Sequence, residues 1–205
     1  MLGFNIGNAD IVYIIIVYIS SAIPWAYYIG KLRLNSDIRN YGDKNPGTVN
    51  VFRAGSITWG FIASFFEITK SGLPIYFFLS NYSIDNFTMI IFVIASLFGH
   101  GFSPFLKFKG GKSLAVTAGT WLAITKFEAF YIITPCLAIM KLIQKNDAIT
   151  VTVAFSSLGI YLLLRNPSNF STYSLLIGIL FNLLFIIFKH RKEYKKKMAF
   201  RFKLK

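Results

Sequence analysis

Seven stretches of this chain are too apolar for the surface of a water-soluble fold: residues 11–29, 57–79, 87–105, 114–124, 127–143, 148–164 and 173–188. A helix needs about 20 mostly apolar residues to cross the hydrocarbon core of a bilayer. Six stretches approach that length, and 114–124 reads as a half-helix or a steep re-entrant segment. Charged residues make up only 15% of the chain and hydrophobic ones 55%, against about 25% charged in soluble domains. The expected fold is all-α: one polytopic membrane domain over residues 1–205, with about seven transmembrane helices.

A net charge of +14 would suggest a nucleic-acid partner in a soluble protein. Next to membrane helices, Lys and Arg instead set topology by accumulating on the cytoplasmic side. The first thirty residues hold no Lys or Arg, so the basic start of a secretory signal is missing. An uncleaved first helix with its N-terminus outside is expected. That layout places 19 of the 22 basic residues inside, including a basic cytoplasmic tail over 189–205, and leaves Lys70, Lys126 and Arg165. No nucleic-acid partner, metal or cofactor is expected, because two histidines far apart make no ligand cluster. The single cysteine, Cys136, lies in an apolar run and cannot form an intrachain disulfide.

Three polar patches cost more than a simple membrane anchor requires. The first is "YGDKNPGTVNVFRAG", residues 41–55. Its Gly and Asn residues tolerate unusual backbone angles that point N–H groups into one concavity. Arg53 adds a planar fork of donors suited to phosphate. An inner loop with a turn at Asn45-Pro46-Gly47 would use the same residues. The second is "GHGFSPFLKFKGGKSLAVT", residues 99–117. There Gly110, Gly111 and Lys112 directly precede an apolar run, so backbone amides, the positive helix end and a point charge could converge on an anion. His100 reads either as a site residue or as a histidine satisfied at a helix end. The third is Glu67 with Lys70, three apart and on one helix face. Ionisable groups at membrane depth mark an interior site or a structural pair.

Together these residues resemble the bacterial acyl-phosphate:glycerol-3-phosphate acyltransferases of the PlsY type, over nearly the whole chain. "SAIPWAYYIGKL" is similar to the family's opening helix. "DIRNYGDKNPGTVNVFRAG" matches the first motif, D-I-R-x-x-G-S-G-N-x-G-A-T-N-x-x-R, at Asp37, Ile38, Arg39, Gly42, Asn45, Gly47, Asn50 and Arg53. "EITKSGLP" is similar to D-x-x-K-G-x-x-P, at Glu67, Lys70 and Pro74, and the second patch to the motif that ends in F-K-G-G-K-G-V-A-T. "FKHRKE" resembles the third motif, R-H-R-x-N, at His190 and Arg191. The chain departs from the pattern at Asp43-Lys44, where the family has Ser-Gly, at Ser113 for a glycine, and at Glu193 for an asparagine.

The resemblance implies a membrane enzyme with its motifs at the cytoplasmic face of the inner membrane. It implies transfer of an acyl group from acyl phosphate to the sn-1 hydroxyl of glycerol 3-phosphate, with the bilayer as its surroundings. The residues implied as catalytic are Lys112, His100 and Asp43. Asn45, Gly47, Asn50, Arg53, Gly110, Gly111, His190, Lys70 and Glu67 are implied in substrate binding. Two other readings use the same patches. One is a catalytically impaired or redirected homologue that binds phosphate-bearing lipid or metabolite. The other is a small anion transporter, which motifs confined to one face disfavour.

Overall fold

Pro24 decides how the chain begins. Proline lacks an N–H and disfavours helical backbone in the residue before it, and Ile23 is extended at φ −64°, ψ 120°. The first apolar run, expected as one helix, is therefore two: α1 (Asn8–Ala22) and α2 (Trp25–Arg33). The break exposes backbone groups that need partners away from water. Lys70 Nζ donates to the Ile23 carbonyl at 2.7 Å, and Ser103 Oγ donates to the Ala22 carbonyl at 2.6 Å. The Ala26 amide donates to Glu67 Oε1 at 2.9 Å. The two charges buried in the second span thus repair the backbone of the first.

The computed structural model describes residues 7–83, 85–165 and 170–195, so the tail expected beyond Lys195 lies outside the described residues. The remaining helices are α3 (Thr48–Arg53), α4 (Ile57–Asn81), α5 (Asn86–Gly101), α6 (Leu114–Ile124), α7 (Glu128–Ile143), α8 (Asp147–Arg165), α9 (Thr172–Lys189) and α10 (Arg191–Tyr194). Among the described residues every regular element is helical. Each apolar run is occupied by helix, and four segments are long and apolar enough to cross a membrane: Asn8–Arg33, Asn86–Leu106, Asp147–Arg165 and Thr172–Lys189. Helix α4 has 25 residues but carries Glu67 and Lys70 at its middle and Pro74 within it. Helix α6 has 11 residues, roughly 16 Å at the usual rise per residue, too short to span alone.

Apolar side chains alone give helices little reason to associate in lipid, so close backbone approach and hydrogen bonds hold such bundles together. Helices α4 and α6 cross at small residues. A Cβ on Gly119 would fall 2.0 Å from the Ile68 carbonyl oxygen, and Ser71 Oγ donates to the Val116 carbonyl at 3.0 Å. Helices α1 and α5 meet where a Cβ on Gly99 would lie 2.4 Å from the Tyr18 carbonyl oxygen. In the interior Trp121 Nε1 donates to Asn182 Oδ1 at 2.9 Å, and Asn182 Nδ2 donates to Thr117 Oγ1 at 3.1 Å. Outward-facing Ile15, Phe61, Tyr131, Ile160 and Leu184 are exposed, as a lipid-facing belt requires.

At one end of the bundle the chain from 34 to 56 is a folded loop. Asp37 caps a 3₁₀ turn by accepting from the Arg39 amide, and the buried Ile38 packs with Ala26, Val51 and Ala63. Phe52 fills the space that a side chain at Gly60 would take. The loop ends in α3, whose last residue is Arg53.

Candidate active site

Four segments meet at this end: the loop carrying α3, the stretch before α6, the α7–α8 turn and the segment after α9. Lys112 joins three of them. Its Nζ lies 2.6 Å from Asp43 Oδ2 and 2.7 Å from Glu193 Oε1. Burial would depress the Lys112 ammonium, but the two carboxylates hold its pKa above the ordinary lysine value. Burial would likewise raise both carboxyls, and their bonds to Lys112 keep each below its usual range. The cluster is ionised throughout at neutral pH.

Asp43 is also the hub of its own loop. Its Oδ1 accepts from Asn50 Nδ2 at 3.0 Å and from the Asn45 amide at 3.2 Å. Asn50 Nδ2 further donates to the Asn45 carbonyl, while Asn50 Oδ1 accepts from Arg53 Nη1 at 3.1 Å. Gly42 has φ +53°, and a Cβ there would sit 2.0 Å from Arg53 Nη1, so the guanidinium lies directly over the glycine backbone. Lys44 has φ +61° and Ser113 φ +63°. Lys44 and Ser113, each standing where the family pattern has glycine, thus hold left-handed backbone, a conformation glycine adopts freely. Ser113 offsets part of that strain by donating to the Leu97 carbonyl.

The expected convergence of paired glycine amides on an anion needs correction at Gly111. Its N–H donates to the His100 carbonyl at 3.1 Å. The glycines are required for close approach instead: a Cβ on Gly110 would lie 2.0 Å from the His100 carbonyl oxygen, and one on Gly111 2.2 Å from His100 Nε2. His100 is buried. Its Nδ1 lies 3.0 Å from Lys70 Nζ and 3.2 Å from Glu67 Oε2, and Lys70 and Glu67 form an ion pair at 2.7 Å.

Three adjoining cavities share Asp43 and Lys112 in their walls. One, of about 360 Å³, brings together Asn45, Gly47, Arg53, Glu67, His100 and His190 and extends to Leu114, Ala115, Leu137 and Val151. A second, of about 350 Å³, opens among Arg39, Lys109, Gly110, Gly111, Lys189 and Arg191. The third, of about 320 Å³, reaches Gly42, Lys145, Asn146 and Asp147. Asn50 supports this region from behind. Lys70, expected among the substrate-binding residues, lines none of these three cavities; it serves the α1–α2 break and His100.

The α7–α8 turn was not expected in the site. Asn146 Nδ2 donates to the Glu193 carbonyl at 3.1 Å, and Gln144 braces the turn by bonding the Asn146 carbonyl and Thr150. The signal was a polar Gln-Lys-Asn-Asp run between two apolar stretches, readable only as a short inner loop. His190 is 1% exposed, and its Nδ1 donates to the Ile186 carbonyl at 2.9 Å. Burial pushes its pKa below the ordinary histidine value.

A lysine, an arginine and two histidines, with the Asp43, Glu67 and Asp147 carboxylates beside them, surround one cavity with an apolar extension, an arrangement that can receive an anionic group attached to, or beside, an apolar chain. The comparisons agree with this. Residues 11–199 match the sequence family described as glycerol-3-phosphate acyltransferase. Glycerol-3-phosphate acyltransferase 1 of Thermotoga maritima is 31% identical over 196 residues, spanning 89% of this chain and 95% of that relative. The glycerol-3-phosphate acyltransferase of Endomicrobium trichonymphae is 32% identical over 190 residues, with 91% and 90% covered. The fold is similar to the crystal structure of PlsY (YgiH), an integral membrane glycerol 3-phosphate acyltransferase in its glycerol 3-phosphate form. The TM-score is 0.77 at 26% identity, over 91% of this chain and 90% of that one. With the profile match running almost from end to end, this chain belongs to the glycerol-3-phosphate acyltransferase family.

Proposed function

We propose that this protein is the membrane acyltransferase that moves a fatty acyl group from acyl phosphate to the sn-1 hydroxyl of glycerol 3-phosphate. The products are lysophosphatidate and inorganic phosphate, and the reaction belongs to phospholipid synthesis. One observation carries the reading. The cavity of about 360 Å³ that holds Arg53, Lys112 and both histidines continues to Leu114, Ala115, Leu137 and Val151. A single space therefore offers a phosphate seat and the start of an acyl-chain path.

The glycerol hydroxyl attacks the acyl carbonyl carbon, the bond from that carbon to the bridging oxygen breaks with its electron pair leaving on phosphate, and the departing phosphate takes up the hydroxyl proton. Cations and N–H donors fixed around that charge are the largest contribution a protein can make to such a step. Lys112 and the Gly110 segment face the departing phosphate in this reading. Arg53 and Asn45 hold glycerol 3-phosphate, with Gly47 allowing close approach, while the buried Asn50, expected as a binding residue, braces Asp43 and Arg53 from behind.

The basic residues around the site fit a cytoplasmic active-site face in the inner membrane, with the N-terminus outside and about seven membrane helices. A cysteine placed at Ser80 in a Cys136→Ser background should react with an impermeant thiol reagent from outside, and one placed at Lys44 only after permeabilisation.

Purified protein should make lysophosphatidate from labelled glycerol 3-phosphate with acyl phosphate as donor, and not with acyl-CoA or acyl carrier protein. Transfer from a thioester donor alone would overturn the assignment of donor. The carboxylates on Lys112 favour a second reading, a redirected homologue. It would bind phosphate-bearing compounds yet transfer from none of the three donors.

A further inference from the structure

We infer that Lys70 is a positioning residue that holds His100 as the neutral tautomer protonated on Nε2, so that His100 acts in the cavity as a donor and not as a base. An ammonium has three N–H bonds and no acceptor. Three acceptors surround Lys70 Nζ: the Ile23 carbonyl at 2.7 Å, Glu67 Oε2 at 2.7 Å and His100 Nδ1 at 3.0 Å. The contact between Lys70 Nζ and His100 Nδ1 is a hydrogen bond only if Nδ1 presents its lone pair. An Nδ1–H would give up that bond and turn to Glu67 Oε2, 3.2 Å away, and an imidazolium would put two cations side by side with one carboxylate between them.

Glu67 completes the arrangement: its Oε1 accepts from the Ala26 amide, and its Oε2 forms an ion pair with Lys70. The break at Pro24 thereby contributes an acceptor to the cluster that sets the His100 proton. The proton goes to Nε2, on the ring edge beside Gly111, where the absent side chain leaves room. His100 and Lys112 line the same cavity.

His190 is held the opposite way. A backbone carbonyl only accepts, so the bond to Ile186 places the proton on Nδ1 and leaves Nε2 as an acceptor. The two histidines that line the cavity therefore carry opposite tautomers.

The chain has two histidines, so ¹⁵N spectra of the histidine-labelled protein in detergent or nanodiscs read both tautomers, with His190→Gln assigning the signals. At neutral pH, His100 should show protonated Nε2 and His190 protonated Nδ1. In Lys70→Met, the His100 proton should move to Nδ1 and bond Glu67, and transfer should fall at least about tenfold, the scale of one hydrogen bond to a charged group. His100→Gln, whose amide nitrogen overlays Nε2, should keep several-fold more activity than His100→Asn, whose amide overlays Nδ1.

A protonated Nδ1 or an imidazolium at His100 in the unsubstituted protein would overturn the inference, and that spectrum decides even if Lys70→Met does not fold. An unchanged His100 tautomer in folded Lys70→Met, or equal activity of the Gln and Asn variants, would overturn it too. The donor role rests on reading this cavity as the phosphate site. The spectra do not, so a wrong tautomer and a wrong substrate are told apart.

Discussion

Lys112 Nζ lies 2.6 Å from Asp43 Oδ2, across 69 residues of sequence. The lysine expected to receive phosphate already holds an internal anion, and Glu193 supplies a second at 2.7 Å. Any phosphate that reaches Lys112 competes with those carboxylates or joins them with help from Arg53, which is 3.8 Å from Asp43. Lys112→Ala should lower kcat/KM for acyl transfer by about 10²–10³, the cost of removing one preorganised charge-stabilising donor. Initial rates on protein that still elutes as a single folded species check this, and undiminished turnover removes Lys112 from the mechanism.

Asp43→Ser should be tolerated or activating. The serine hydroxyl can still cap the Asn45 amide, as such side chains do in turns. It releases Lys112 from one of its two carboxylates while leaving Glu193 in place. The KM for acyl phosphate should then fall, by up to about tenfold if the lost competition is worth about 1.4 kcal/mol. Steady-state kinetics of the two proteins decide it. A large loss of turnover would show that this enzyme uses the carboxylate directly.

The membrane class was legible because the apolar runs are local patterns, and helix occupies each of them. The motif residues Asn45, Arg53, His100, Lys112 and His190 were legible as types and spacings, and the fold does gather them around one cavity. What local pattern could not show were the partners. Glu67 reads from the sequence only as a site residue or one half of a pair, and the Ala26 amide, 41 positions away, that also needs it leaves no local trace. The Gly111 amide looks available until the His100 carbonyl is found against it. Asn146 carried no signal beyond its polar turn, because its role comes from a segment 47 residues later. Each case is a buried polar group satisfied over a long sequence distance, which periodicity does not encode.

Gly111→Ala should damage the site more than the fold. The added methyl would lie 2.2 Å from His100 Nε2, so the imidazole or the loop must shift. Overpacking of this kind costs about 1–3 kcal/mol, a loss that thermal unfolding in detergent would register as a lower midpoint. Transfer should fall by more than stability does, because the displaced ring belongs to the cavity. Full activity with an unchanged midpoint would mean that the His100 ring has room that the structure does not show.

Acid should weaken the fold through the carboxylates of the Lys112 cluster. Asp43 and Glu193 titrate below their ordinary values in the folded protein, with burial opposing and Lys112 outweighing it. The Arg39 guanidinium lowers Asp37 to about 2. A carboxyl depressed on folding contributes stability that is complete above its unfolded pKa and lost as pH falls through the folded one. Lys112 is raised on folding, so its share is complete below its unfolded pKa and lost only in alkali. The contribution of these groups should be flat from about pH 5 to about pH 9 and decline below about pH 4, where carboxylates begin to protonate. Thermal midpoints measured across that range should show the acid decline, and the Asp43→Asn, Glu193→Gln double variant should lose part of it. A decline of equal size in that variant would place the acid-sensitive groups elsewhere in the protein.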